Sequence, residues 1–306
     1  MDSLFTYRDD IEGKVGIGKL PNELQAILDD ISTEYYNIIP DIHASTHHVW
    51  YKDMSPNIKS KVEKLQKHAF WNKLCDGSKK CVRNNANEMD ELYYSNPKNN
   101  INKNNLYGAS SNYDIHKDCI FNFHGIRFYR ILIGLTDGND NIITNFNNLK
   151  TGHKINAGDY IVFDFDKTTH QVIKENNKAT PRIMLKLHYI VCEDCKYSKE
   201  YLETIKNIYL YYENITRYIM KTGTDPETFY EFFMGLGCQY FYTPYIQYMI
   251  LLIILIVIII LNYVFEIKLI YKNISKLTQN ILVSLVFTYL LIVAFYWSRY
   301  NLLGIR

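Results

Sequence analysis

The sequence predicts a mainly β fold, a barrel or jelly roll with flanking helices, followed by a C-terminal two-helix transmembrane hairpin. Three observations carry this. From Ile120 to Val191, short runs rich in β-branched and aromatic residues alternate with turn signals. The segments on either side carry apolar residues at helical spacing. Beyond Tyr245 lie two long runs without a charged residue.

The elements follow in order. Met1 to Gly18 is polar and lacks an apolar stretch, so a cleaved signal peptide is not expected. Leu20 to Ile39 places Leu24, Ile27, Leu28 and Ile31 on one helical face, with Pro21 near the start, where proline is tolerated. Ser55-Pro56 opens a second helix, with Ile58, Val62, Leu65 and Ala69 aligned. Arg83 to Asn112 is Asn-rich and almost without aliphatics, and reads as a long loop. Strands are expected at Arg127–Leu135, closed by Asp137-Gly138, then at Asn141–Phe146 and Lys154–Asp159. Tyr160–Phe165, His170–Ile173 and Arg182–Val191 complete the set. Ser198 to Lys221 reads as a helix, and Asp225-Pro226-Glu227 starts another. This divides the chain into a helical N-terminal region with its Asn-rich loop (1–112), a β core (113–195), a helical extension (196–244) and a hairpin with a short tail (245–306).

Tyr245–Phe265 and Ile281–Trp297 are each about the length that crosses a ~30 Å hydrocarbon core. Tyr240, Tyr242, Tyr245, Tyr248, Tyr296 and Trp297 resemble interfacial aromatic belts. Two features bear on orientation. Lys268, Lys272 and Lys276 favour a cytosolic connecting loop, which puts the large domain outside. Against that, all of 1–244 precedes the first span without an export signal, and Arg299 and Arg306 add positive charge to the tail. The expectation is a multi-pass membrane protein with a cytosolic large domain. Modification at Asn214-Ile-Thr216 or at Asn273-Ile-Ser275 distinguishes the two orientations.

The chain has 306 residues, 47% hydrophobic and 22% charged, with a net charge of +2, so no nucleic-acid partner is indicated. Cys75, Cys81, Cys119, Cys192, Cys195 and Cys238 are scattered and expected to be reduced. Cys192-Glu-Asp-Cys195 together with Cys75 and Cys81 is the alternative, a zinc site with loose spacing.

The candidate chemistry lies in His116-Lys-Asp118, followed by His170 and Arg182. A His and an Asp two apart in an extended segment point to one side and bind one ion together. His170 is the candidate third ligand. Two histidines and a carboxylate on one face leave positions open for a bidentate oxo-acid and O2, the arrangement of non-haem Fe(II) oxygenases. Arg182, opening the last strand, is the candidate anchor for an acidic co-substrate. Taken alone, His116 and Asp118 also fit ordinary strand-end residues, and the ordered set is the stronger signal. His124, His153 and His188 read as structural or exposed. His43, His47 and His48 lack an acidic partner in an obvious motif. Lys186 is an alternative co-substrate anchor.

These residues resemble the aspartyl/asparaginyl β-hydroxylase branch of the Fe(II)/2-oxoglutarate-dependent dioxygenases. The resemblance runs from about Tyr113 to Cys195. It covers His116-Lys-Asp118, Arg130-Ile-Leu-Ile-Gly-Leu135, Ala157-Gly-Asp-Tyr-Ile-Val-Phe-Asp164, His170-Gln-Val172 and Pro181-Arg-Ile-Met-Leu185. It implies a double-stranded β-helix (jelly roll) that oxidatively decarboxylates 2-oxoglutarate and hydroxylates an unactivated C–H bond. It also implies iron ligation by His116, Asp118 and His170, co-substrate binding by Arg182 and Arg130, and ascorbate as reductant. The family's paired acidic residues are split here as Asp164 and Asp166, and Asp118 is present where animal members can lack the carboxylate ligand. The expected substrate is an Asp/Asn side chain of a protein. A lipid acyl chain or a prolyl substrate near the membrane is the alternative, as is a catalytically silent interaction module.

Overall fold

The computed structural model describes residues 4–38, 46–78, 80–95, 117–119, 121–137, 142–147, 149, 152–174 and 182–224. The chain divides into two compact units, Met1–Arg217 and Tyr218–Arg306. Of the second, only residues 218–224 are described. His116, both apolar runs, the sequon at Asn273 and the helix expected at Asp225 lie outside the described residues. Among those described, no helix is long and apolar enough to cross a membrane.

Among the described residues the first unit holds ten strands: β1 Tyr7–Asp9, β2 Gly13–Lys19, β3 Thr46–Trp50, β4 Val82–Asn85, β5 Glu91–Ser95, β6 Ile126–Gly134, β7 Ile142–Phe146, β8 Asp159–Asp164, β9 His170–Lys174 and β10 Arg182–Cys192. Helices α1 (Gln25–Tyr36) and α2 (Pro56–Lys67) lie between the early strands, and α3 (Lys199–Thr224) follows β10. One large sheet runs β1-β2-β8-β6-β10-β5-β3, with β4 also paired to β10, and a second sheet joins β7 to β9. Every named strand pair is antiparallel. The fold is thus mainly β with flanking helices, of a jelly-roll kind.

Strand alternation sorts β10 into two faces. Ile183, Leu185, Leu187, Tyr189 and Val191 join Tyr129, Ile131 and Ile133 of β6 in a core that also contains Leu28, Ile31 and Tyr35 of α1 and Ile58, Val62 and Leu65 of α2. Ser55 accepts the Ile58 N–H at 3.1 Å and so caps α2 as its sequence predicts. The opposite face carries Arg182, Met184, Lys186 and His188. There Met184, Leu132, Ile161 and Phe163 pack with Phe146 of the second sheet. The candidate chemistry lies on this inner face.

Several expectations need correction. The stretch from Arg83 is not wholly a loop: β4 and β5 lie in it, recruited by pairing to β10 and β3. Lys154–Asp159 forms no strand before Asp159; it makes a single bridge through Ala157, and His153 just before it makes another. The polar N-terminus contributes β1 and β2. Nor are the thiols all reduced, since Cys75 pairs with Cys81 and Cys192 with Cys195; Cys119 is buried and in no disulfide, and Cys238 lies outside the described residues. The zinc alternative fails with them. Cys75 and Cys81 pack on the helix-side core, to which Val191 belongs, so Cys192 faces the other way. Among the described residues no group of three ligands could hold a metal.

Gly134 ends β6 beneath the Asn156 carbonyl, where an added Cβ would sit 2.1 Å from that oxygen. Gly134→Ala is expected to destabilise the fold by about 1–3 kcal/mol through overpacking, read as a lowered denaturant midpoint.

Candidate metal centre

His170 opens β9, buried, with its ring against Phe163 at 4.8 Å and Phe146 at 5.8 Å. Its Nδ1 lies 3.4 Å from the Thr168 carbonyl oxygen. Only a protonated Nδ1 can serve that acceptor, which leaves the Nε2 lone pair for a metal. The Asp118 Oδ2 lies 3.7 Å from this Nε2. Two donors of the types Fe(II) takes therefore converge in a buried position. The third expected ligand, His116, lies outside the described residues.

The turn before His170 brings the two together. Cys119 N–H donates to the Phe165 carbonyl at 3.2 Å, which lays the Asp118 segment beside that turn. Asp164 ends β8 and fixes the turn from below. It accepts from the Lys14 N–H at 2.7 Å and pairs with Arg127 at 3.1 Å. Asp166 accepts from the Tyr209 hydroxyl of α3 at 2.8 Å.

Arg130 occupies the centre of the inner face. Its Nη1 lies 2.8 Å from Asp118 Oδ2, its Nη2 donates to Glu213 at 3.1 Å, and its Nε donates to His188 Nε2 at 2.9 Å. Its plane covers the Phe165 ring at 4.4 Å. His188 also donates its backbone N–H to Asp90 at 2.9 Å, with Nδ1 3.3 Å from the same oxygen. Burial drives His188 well below its ordinary pKa and Asp90 well above. The His188 ring is neutral, since its Nε2 accepts from Arg130, and its Nδ1–H faces Asp90.

Lys186 pairs with Glu91 at 3.0 Å. Glu91 also meets His48 at 2.6 Å and Arg217 at 3.9 Å. Burial opposes the charge on Glu91, but the fields of Lys186, His48 and Arg217 outweigh it and hold the carboxyl below the usual carboxylate range. Lys186 is therefore committed to a protein carboxylate. Arg182 is buried at the start of β10, on the same inner face.

Of the histidines read as structural or exposed, His124 and His153 remain to be placed. His124 is exposed, His153 bridges to Thr144, and His47 Nδ1 lies 3.1 Å from the Tyr35 hydroxyl. His48 meets Glu91 at 2.6 Å, a partner 43 residues away that no sequence motif supplies. Sequence reasoning missed Glu213, Tyr209 and Arg217 of α3. Their signal was present: they recur every fourth residue, and Tyr209 and Glu213 are buried beside Leu202, Ile205 and Tyr212.

No family model matches the chain, and no curated protein matches it. Among solved structures it is similar to a viral collagen prolyl hydroxylase of Paramecium Bursaria Chlorella virus-1 in a 2OG complex, at 16% identity and TM-score 0.36, covering 57% of this chain and 95% of that one. A Pseudomonas putida prolyl-4-hydroxylase matches at 14% identity and TM-score 0.36, over 57% and 91%. HygX of Streptomyces hygroscopicus, solved with nickel, 2-oxoglutarate and hygromycin B, matches at 8% identity and TM-score 0.36, over 58% and 82%. At such distances the chemistry of this chain has to be read from its own side chains.

Burial, followed by the charge of Asp164, pushes the Asp166 carboxyl up to about 7. A carboxyl raised in the folded state binds its proton more tightly than in the unfolded chain. Its contribution to stability is therefore full at low pH and is lost as pH rises through about 7. Asp166→Asn keeps an acceptor for Tyr209 without the charge. Unfolding free energies across pH 4 to 8 are expected to decline less steeply in that variant.

Proposed function

We propose that this chain is a membrane-anchored Fe(II)/2-oxoglutarate-dependent oxygenase that hydroxylates an unactivated C–H bond. The observation that carries the proposal is the convergence of Asp118 Oδ2 and His170 Nε2 at 3.7 Å on the buried inner face of the sheet. His116, two residues before Asp118, completes the donor set. Bound iron supplies the oxidation of a C–H bond by O2, coupled to decarboxylation of 2-oxoglutarate to succinate, with ascorbate as reductant.

The protein's part is binding and orientation. Arg182 presents a planar guanidinium suited to bidentate capture of the distal carboxylate of 2-oxoglutarate. Lys186 is the poorer anchor because Glu91 already occupies it at 3.0 Å. Phe146 and Phe163 hold the His170 ring and keep water from it. The resemblance of the motif set to aspartyl/asparaginyl β-hydroxylases supports an Asp or Asn side chain of a protein as substrate. In the full-length chain, His170→Ala is expected to abolish metal-dependent turnover of 2-oxoglutarate. Arg182→Met should weaken 2-oxoglutarate binding by several kcal/mol while sparing metal binding. Turnover that survives in His170→Ala overturns the metal assignment, and an unchanged co-substrate affinity in Arg182→Met moves the anchor elsewhere.

The uncharged runs 245–265 and 281–297 serve as the anchor. The Cys75–Cys81 and Cys192–Cys195 disulfides weigh against the cytosolic domain expected from the missing export signal. With the three loop lysines, they favour a catalytic domain in an oxidising compartment. The full chain should then resist carbonate extraction and carry a glycan at exposed Asn214, lost in Asn214→Gln. A glycan lost in Asn273→Gln instead reverses the orientation.

A further inference from the structure

We infer that Glu213 of α3 is a positioning residue for the metal centre, acting through Arg130 on the carboxylate of Asp118. This rests on the metal-site reading above and adds a residue from outside the β core. The resemblance implies that Arg130 handles co-substrate. The geometry points to a different task. Each of its three nitrogens faces a protein group: Asp118 at 2.8 Å, Glu213 at 3.1 Å and His188 at 2.9 Å. The Phe165 ring beneath fixes the plane of the guanidinium. A side chain held at this many points has one orientation, and in it Nη1 is ion-paired with Asp118 Oδ2 at 2.8 Å.

The same oxygen lies 3.7 Å from His170 Nε2. Arg130 therefore sets where that carboxylate stands relative to the second ligand, and it withdraws charge from it. Groups that hydrogen-bond a ligating carboxylate orient it and tune its basicity. His188 is neutral and contributes direction rather than charge. Glu213 is the counter-charge that lets Arg130 stay buried when Asp118 turns toward a cation. It is buried itself, with 7% of its surface exposed, and Arg217, one turn on, holds the same Oε1 at 3.3 Å.

Three residues of α3 reach the site at four-residue spacing: Tyr209 to Asp166, Glu213 to Arg130 and Arg217 to Glu91. One face of this helix thus braces the turn before His170, the arginine beside Asp118 and the carboxylate beside Lys186. The outer side of the same helix is exposed at Tyr211.

The test is metal affinity, read without turnover. Full-length wild type, Glu213→Ala and Glu213→Gln are titrated with Mn(II) alone by electron paramagnetic resonance, and with Co(II) alone for its visible ligand-field bands. Lys206→Ala, on the same helix but paired to Glu203 and Glu88, is the control. Glu213→Ala is expected to weaken Mn(II) binding about 10- to 100-fold, the range for outer-shell partners of metal ligands, and to alter the Co(II) bands. Glu213→Gln, which still accepts from Arg130, should fall between it and wild type. Circular dichroism melting reports folding, and if Glu213→Ala does not fold, Glu213→Gln carries the test. Mn(II) affinity within about twofold of wild type in the folded variant, with unchanged Co(II) bands, overturns the inference alone. A wild-type chain that binds neither ion overturns the metal-site reading as well.

Discussion

A guanidinium buried between a sheet and a helix has to be neutralised, and much of this site is arranged around that requirement. Arg130 stands opposite His188 because β6 and β10 pair from Gly134↔Met184 to Ile126↔Cys192. Its neighbours come from three separate parts of the chain: the segment holding Asp118, strand β10, and helix α3. Removing one of them leaves a buried charge with too few partners. The pairing repeats one row along the face, where Glu91 is surrounded by Lys186, His48 and Arg217. Glu213 and Arg217 link the two rows at 3.3 Å. The inner face is thus a ladder of alternating charge, with the proposed metal ligands Asp118 and His170 at one end.

Much of this was legible in the sequence, where local pattern and final structure agree. Strands β6, β8 and β10 are β-branched, aromatic runs between turn signals, and both faces of each are buried, so the pattern needs no partner to be seen. Ser55-Pro56 marks α2 by chemistry alone. His170 and Asp118 were singled out because a metal site needs those residue types, and the fold brings them within 3.7 Å of each other. Other elements depend on distant partners. Glu91-Leu-Tyr-Tyr-Ser95 follows an Asn-rich stretch and becomes a strand only because β10 and β3 flank it. Gly13–Lys19 is rich in glycine and lysine and is held by β8. The place of Glu213 on the helix stripe is local, but its role depends on Arg130, 83 residues earlier, which no local pattern names.

Helix α3 shows how a pattern can be seen and its meaning missed. Its apolar residues announce an amphipathic helix, and a polar residue on the buried side normally counts against such an assignment. Here Tyr209 and Glu213 are buried because each meets a polar partner on the sheet. The half-hidden polar positions of a helix mark where it meets a site, and its apolar positions mark where it meets a core.

The turn that presents His170 is tied to residues made at the start of the chain. Lys14 N–H reaches Asp164 across 150 residues of sequence, and Lys167 reaches the Asp10 carbonyl across 157. Contacts of this span repay the entropy of loop closure only late in folding. On a ribosome making about 5–20 residues per second, β2 would wait on the order of ten seconds for β8. Through that interval it is an open strand edge, able to pair with another nascent chain. Its three glycines weaken such pairing, and its two lysines repel it. The glycine and lysine content that hides β2 from pattern recognition is, in the unfinished chain, its protection against the wrong partner.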